Sequence, residues 1–192
     1  QINGDQGDDT IYGDAGDDNI SGDTFGIFSN GDPDGNDVIY GGAGADLIRP
    51  GYGNDYVDGG NNPQFHGDAV SYEGRDAGVS ADLSSGQVDD GGGGTDALVG
   101  IEGFLGGADY ITGSSGFIEG GSGNDTLVAT GDQFNVSYRD SEFDTQGLGG
   151  AGVTVDLSTG TAIDNWGDTD RLVGVTQVAG SDTGDVINGS GA

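Results

Sequence analysis

One nine-residue unit is written five times between Gly4 and Asp58, and so short a fixed period decides the architecture before any propensity argument does. The copies read GDQGDDTIY (Gly4 to Tyr12), GDAGDDNIS (Gly13 to Ser21), DPDGNDVIY (Asp32 to Tyr40), GGAGADLIR (Gly41 to Arg49) and PGYGNDYVD (Pro50 to Asp58). Their common form is small, small, any, Gly, any, Asp, any, aliphatic, any. Gly at the first, second and fourth positions opens backbone angles with positive φ. The eighth residue (Ile11, Ile20, Ile39, Ile48, Val57) sits in a strand of two or three residues and points inward. So short a strand cannot bury its own face, so the units must stack. Two units make one turn of a right-handed coil, unit n lies over unit n+2, and the aliphatics fill a narrow core.

Composition admits two readings, and the period chooses between them. There are 44 Gly, and 34 Asp and Glu stand against 4 Lys and Arg, a formal net charge of -30. Without register this is a disordered acidic linker. Here Gly and Asp are locked in phase with Ile and Val, which expects a fold whose carboxylates need counter-charge before they can be brought together. Without it, the chain is expected to stay open. The charge leaves nothing to meet phosphate, so nucleic acid and anionic membrane surfaces are not expected partners. No apolar run approaches a membrane-spanning length, so no membrane insertion is expected. The chain has no Cys and one His, so neither disulfides nor a zinc ligand set is available. Calcium, which takes six to eight hard oxygens from carboxylates and carbonyls, fits this donor supply. DPDGND alone would suit an EF-hand loop, but the Glu at the twelfth position and the flanking helices are missing.

The units resemble the RTX (repeats-in-toxin) hemolysin-type repeat GGxGxDxUx of large secreted bacterial proteins. The resemblance implies a parallel β-roll, or β-solenoid, with several Ca²⁺ ions between turns. It implies carboxylate ligands at the sixth position, stacked as Asp9 with Asp37, Asp18 with Asp46 and Asp37 with Asp55. Loop carbonyls would come from Gly7, Gly16, Gly35, Gly42, Gly44, Gly51 and Gly53. Asp5, Asp14 and Pro33 depart from the pattern at the second position, and ligation tolerates them if the backbone angles do. A second, shorter block follows, GGADYIT (Gly106 to Thr112), GSSGFIE (Gly113 to Glu119) and GGSGNDTLV (Gly120 to Val128). Its middle unit has lost the Asp, so Asp109 and Asp125 form its pair, with Gly121 and Gly123 as carbonyl donors. Asp68 falls at a sixth position above Asp46.

Between and after the blocks a longer motif occurs twice, GVSADLSSGQVDDGGGGTDALVG (Gly78 to Gly100) and GVTVDLSTGTAIDNWGDTDRLVG (Gly152 to Gly174). It alternates as strands and resembles spacers between RTX blocks. The expected organisation is an all-β coil with a roll over 1–67, its loop insertion at 22–31, a spacer over 68–105, a short roll over 106–131 and a second spacer over 132–192. Phe25, Ile27 and Phe28 give the insertion an apolar side, read as packing back over the roll's end or flank in preference to a ligand-binding loop. The chain has no Met and stops inside a unit led by Asp185, so it is expected to be cut from a longer parent with neighbouring domains.

No catalytic constellation is present in the sequence. His66 lacks the HExxH context, and Glu73, Glu102, Glu119 and Glu142 have no partner that marks them as acids or bases. The chain is therefore not expected to be an enzyme. Tyr12 and Tyr40, at the ninth position of stacked units, should sit about 5 Å apart on one outer face. They are read as a cross-strand pair or as a sugar contact, and Trp166 in the second spacer as an edge cover or a ligand contact. The expected function is a segment that folds on binding calcium outside the cell, in a type I-secreted bacterial protein. The alternatives are a calcium-dependent module for polysaccharide or cell surface, and a non-catalytic part of a polysaccharide-active enzyme.

Overall fold

The computed structural model describes residues 1–23, 35–60, 67–72, 78–105, 109–118, 120–138 and 152–191. Phe25, Ile27, Phe28, Pro33, His66, Glu73, Glu119 and Glu142 lie outside the described residues. The first block supplies β1 (Ile2–Asp5), β2 (Thr10–Tyr12), β3 (Asn19–Asp23), β4 (Val38–Gly42), β5 (Leu47–Arg49), β6 (Tyr56–Gly60) and β7 (Ala69–Ser71). Then come β8 (Ser80–Asp82), β9 (Gln87–Asp89), β10 (Thr95–Val99), β11 (Gly103–Leu105), β12 (Tyr110–Ile118) and β13 (Thr126–Ser137). The last are β14 (Thr154–Asp156), β15 (Thr161–Ile163), β16 (Thr169–Val173), β17 (Gln177–Ala179) and β18 (Val186–Asn188). All are strands; the described residues contain no helix.

Alternate units go to opposite faces, as a two-unit turn requires. One sheet runs β1-β3-β5-β7-β11 and the other carries β2-β4-β6, with every neighbour in these two runs parallel. The registers align the apolar positions. Ile2, Ile20, Ile48, Val70 and Phe104 form one column, and Ile11, Ile39, Val57 and Leu98 form the facing one. Both belong to one core, in which Ile20, Ile39, Ile48 and Val57 are fully buried. This is a β-roll rather than a closed barrel. β3 continues through Gly22 and Asp23, and Asp23 pairs with Asp5. The first two residues of the 22–31 segment therefore belong to the roll's strand.

Each spacer inserts an antiparallel meander into the second sheet. β8, β9 and β10 pair antiparallel in sequence, β10 lies parallel to β6, and β8 lies parallel to β12. The second copy repeats this, with β16 parallel to β13 and β14 parallel to β18. The core passes through the insertions by the same alignment, Ala81 to Ile111 to Leu127 to Leu172 on one side and Ile118 to Val136 to Val178 on the other.

The second position explains how the repeat survives without its glycine. Asp5 and Asp14 take φ of 77° and 69°, the left-handed region that Gly42, Gly51 and Gly60 occupy at the same position. Asp adopts that region more readily than most residues, so the loop keeps its shape.

The apolar column fixes a stability expectation. Ile48→Ala removes the middle of the Ile20–Ile48–Val70 column and should lower stability by about 2–5 kcal/mol in denaturant titrations with calcium present. Val99, half exposed on the outer face, should tolerate Ala within about 0.5 kcal/mol.

Candidate metal centres

The sixth-position aspartates form ladders along the coil, one rung per turn. The backbone N–H of each donates to Oδ1 of the next. In the first ladder Asp9 N reaches Asp37 at 2.9 Å, Asp37 N reaches Asp55 at 2.8 Å and Asp55 N reaches Asp96 at 2.9 Å. In the second, on the opposite edge, Asp18 N reaches Asp46 at 2.9 Å, Asp46 N reaches Asp68 at 2.9 Å and Asp68 N reaches Glu102 Oε2 at 2.9 Å. In the third, Val79 N reaches Asp109, Asp109 N reaches Asp125, both at 2.9 Å, and Asp125 N reaches Asp170 at 3.0 Å.

At Asp37, Asp46, Asp55, Asp109 and Asp125 Oδ1 is thus used and Oδ2 is not. Oδ2 of Asp9, Asp37, Asp46, Asp55, Asp109 and Asp125 is buried with no hydrogen-bond partner. A buried carboxylate oxygen without a partner or counter-charge is strongly unfavourable. Burial pushes three of these acids well up: Asp55 to about 8, Asp109 to about 7 and Asp125 to about 9. For Asp55 and Asp125, neighbouring carboxylates push in the same direction. Asp37 and Asp46 are raised by the same burial.

At four rungs of the first block a carboxylate Oδ2 and a backbone carbonyl converge on the point where a Cβ on the first-position glycine would sit. A Cβ built on Gly4 would lie 2.7 Å from both Asp9 Oδ2 and the Gly22 carbonyl. One on Gly41 would lie 2.5 Å from Asp46 Oδ2 and 2.6 Å from the Gly59 carbonyl. Asp37 Oδ2 and the Pro50 carbonyl converge in the same way on Gly22, and Asp18 Oδ2 and the Gly41 carbonyl on Gly13. In the short block Asp125 Oδ2 lies 2.5 Å from the corresponding point on Gly120. The first-position glycine therefore keeps open a space edged by a carboxylate and a carbonyl. No three acidic or His side chains gather at one point among the described residues, so any ion there must take most ligands from the backbone. An all-oxygen set of this kind, without nitrogen or sulfur, fits calcium.

The loop glycines named from the sequence fall in two places. The carbonyl of Gly7 faces Gly35, that of Gly35 faces Gly53, and that of Gly16 faces Gly44, as a column at the fourth position. The Gly42 carbonyl faces Gly60 in a second-position column. The Gly53 carbonyl faces Gly94, and Gly51 lies against the Asp23 carboxylate, which accepts from Tyr52 N at 3.1 Å. Gly121 and Gly123 have φ of 79° and 122°, and Gly123 N donates to Asp168 at 3.2 Å. Carbonyls of Gly22, Gly41, Pro50 and Gly59, at the unit's first position, also lie beside sixth-position carboxylates.

Sequence reading missed three sets of residues. Asp96 and Asp170 are ladder rungs inside the spacers, and the signal was present: GGGGTDALV (Gly91 to Val99) is itself a nonapeptide of the pattern. The fifth position was left open, yet it carries its own ladder. Asp8 accepts from Asn36 N at 2.7 Å, Asn36 from Asn54 N at 2.8 Å and Asn54 from Thr95 N at 3.0 Å. The third set is Tyr72 and Tyr138, whose hydroxyls donate to Oδ2 of Asp96 and Asp170. Nothing in the short period points to them.

The aromatic candidates separate. Tyr12 and Tyr40 stack with centroids 5.1 Å apart and planes within 8°, and Tyr56 follows Tyr40 at 6.0 Å in a tilted arrangement. Trp166 is half-buried in the turn before β16, where its N–H (backbone) donates to Asp164 at 3.0 Å.

No curated protein matches the chain. Residues 1–25, 34–62 and 105–133 match the family model of the RTX calcium-binding nonapeptide repeat, in 4 copies. Repeats of this family bind Ca²⁺ ions, form a non-catalytic calcium-binding module and are typical of secreted bacterial proteins. The rungs Asp9, Asp18, Asp37, Asp46, Asp55, Asp109 and Asp125 lie within the matched segments, and those segments carry RTX calcium-binding nonapeptide repeats in a parallel β-roll.

Proposed function

We propose that the chain is a folding module of an exported bacterial protein, open where calcium is scarce and coiled where it is abundant. The observation that carries this is the set of buried Oδ2 atoms without partners, at Asp9, Asp37, Asp46, Asp55, Asp109 and Asp125. Calcium, when bound, supplies the missing counter-charge. The chain's own part is to hold each carboxylate by its Oδ1 and to keep a glycine-lined space beside its Oδ2. Without counter-charge the rungs repel across successive turns, and a net charge of -30 opposes compaction as a whole. An open chain suits passage through a type I secretion channel. Calcium outside the cell then favours only the folded state, so binding free energy becomes folding free energy. Rungs that share residues between turns make the transition cooperative. For the carbohydrate alternative, Tyr12 and Tyr40 cover one ring face of each other as a cross-strand pair does, while Tyr12 stays 60% exposed.

Circular dichroism tests the central claim. At about pH 8 the chain in chelator should show coil, and millimolar calcium should bring β structure. Magnesium should not replace it, since it holds a tighter octahedron and keeps its waters. A chain fully folded in chelator at that pH would refute coupled folding.

Asp37 has neighbours in the ladder on both sides, whereas Asp9 is the first rung. Asp37→Ala should therefore raise the calcium midpoint of folding more than Asp9→Ala. Equal midpoints for the two variants would mean the rungs act independently.

Acid should act in the opposite direction to a usual salt-bridged protein. The raised folded-state values of Asp55, Asp109 and Asp125 mean that the folded chain binds more protons than the open one above the ordinary carboxylate range. In chelator, stability should fall as pH rises through that range toward about 7–9. β structure in chelator at pH near 5, lost on raising the pH to 8, is the expected result by circular dichroism.

A further inference from the structure

We propose that Tyr72 and Tyr138 end two of the acidic ladders by putting a hydroxyl donor where the other rungs present a bare oxygen. The proposal rests on the calcium reading of the ladders and adds where those ladders stop. At Asp96, Oδ1 accepts from Asp55 N at 2.9 Å and Oδ2 accepts from the Tyr72 hydroxyl at 2.8 Å. At Asp170, Oδ1 accepts from Asp125 N at 3.0 Å and Oδ2 accepts from the Tyr138 hydroxyl at 2.9 Å. The rungs just before them, Asp55 and Asp125, have the same Oδ1 contact but an unpartnered Oδ2. All four residues of the two pairs are buried, and both tyrosines lie in the core cluster.

The arrangement is built rather than incidental. Tyrosine and aspartate are 24 residues apart in the first copy and 32 in the second. The chain between them differs in length, yet the same oxygen receives the same donor at the same rung. Both rungs also open the strands that leave the parallel coil for the antiparallel meander, β10 and β16. Among the described residues no further aspartate rung of the same ladder follows them. A hydroxyl donor satisfies that last oxygen without a cation, so Asp96 and Asp170 hold no ion through Oδ2. Each ladder thereby acquires a fixed end, and the spacer closes it.

Counting bound calcium by native mass spectrometry on the intact chain tests this, with the midpoint of calcium-induced folding as second readout. Asp55→Asn should lose an ion. Asp96→Asn and Asp170→Asn should keep the wild-type ion number, because the amide oxygen still accepts from the backbone and the amide nitrogen donates to the tyrosine oxygen. Tyr72→Phe keeps the ring but strands a buried carboxylate oxygen, and should raise the calcium midpoint by about twofold. Adding Asp96→Asn to Tyr72→Phe should remove most of that shift, since the charge that needed the hydroxyl is gone. A purely packing role for the ring would give neither the shift nor its rescue. Loss of an ion in Asp96→Asn, or equal Tyr72→Phe effects in both backgrounds, overturns the cap. A wild-type chain that binds no calcium removes the calcium reading itself, a result distinct from either.

Discussion

Each sixth-position aspartate treats its two oxygens differently, and the rest of the roll follows from that division. Oδ1 accepts the backbone N–H of the preceding rung, which sets the vertical register of turn on turn. With the register fixed, the eighth-position aliphatics two residues later fall in line, and columns such as Ile20–Ile48–Val70 close. Oδ2 is left facing a carbonyl across the space that the first-position glycine keeps empty. The same side chain thus supplies the fold's alignment and its greatest electrostatic cost. A column of like-charged carboxylates works against the burial of the apolar core. The coil's stability is therefore tied to whatever neutralises that column.

The period made half of this legible. Alternation of units between two faces, the pairing of Asp9 with Asp37 and the Tyr12–Tyr40 stack all follow from a nine-residue repeat with two units per turn. The first-position carbonyls were less legible. The second- and fourth-position carbonyls run along the coil toward the next turn's glycine, and those of Gly22, Pro50 and Gly59 add a further set beside the orphan oxygens. Sequence shows that a glycine is needed there but not which way its neighbour's carbonyl turns. Asp96 and Asp170 were hidden for another reason. Their units sit within a longer duplicated motif, and the larger repeat masked the smaller one that continues the ladder through it. Tyr72 and Tyr138 are distant in sequence from the carboxylates they meet, so only the folded chain brings them together.

A coil built by stacking has no intrinsic length, because each turn offers the next the same edge and the same carboxylate. Ending it requires a change in both. The spacers change the edge by turning the sheet antiparallel: β10 pairs parallel with β6 on one side and antiparallel with β9 on the other, and β16 does the same with β13 and β15. They change the carboxylate at the same rung, where a tyrosine hydroxyl takes the oxygen that faces the gap. The sheet itself does not stop, since β8 resumes parallel pairing with β12, and β14 with β18. The spacers therefore keep the apolar core continuous while breaking the polar ladder. In the calcium reading this divides one long solenoid into acidic blocks of limited length, each with its own closed end, joined by segments whose hydrogen bonds need no ion. Such a division confines the repulsion between like charges to short runs of rungs, which is the condition under which a chain this acidic can be both open without counter-charge and fully ordered with it.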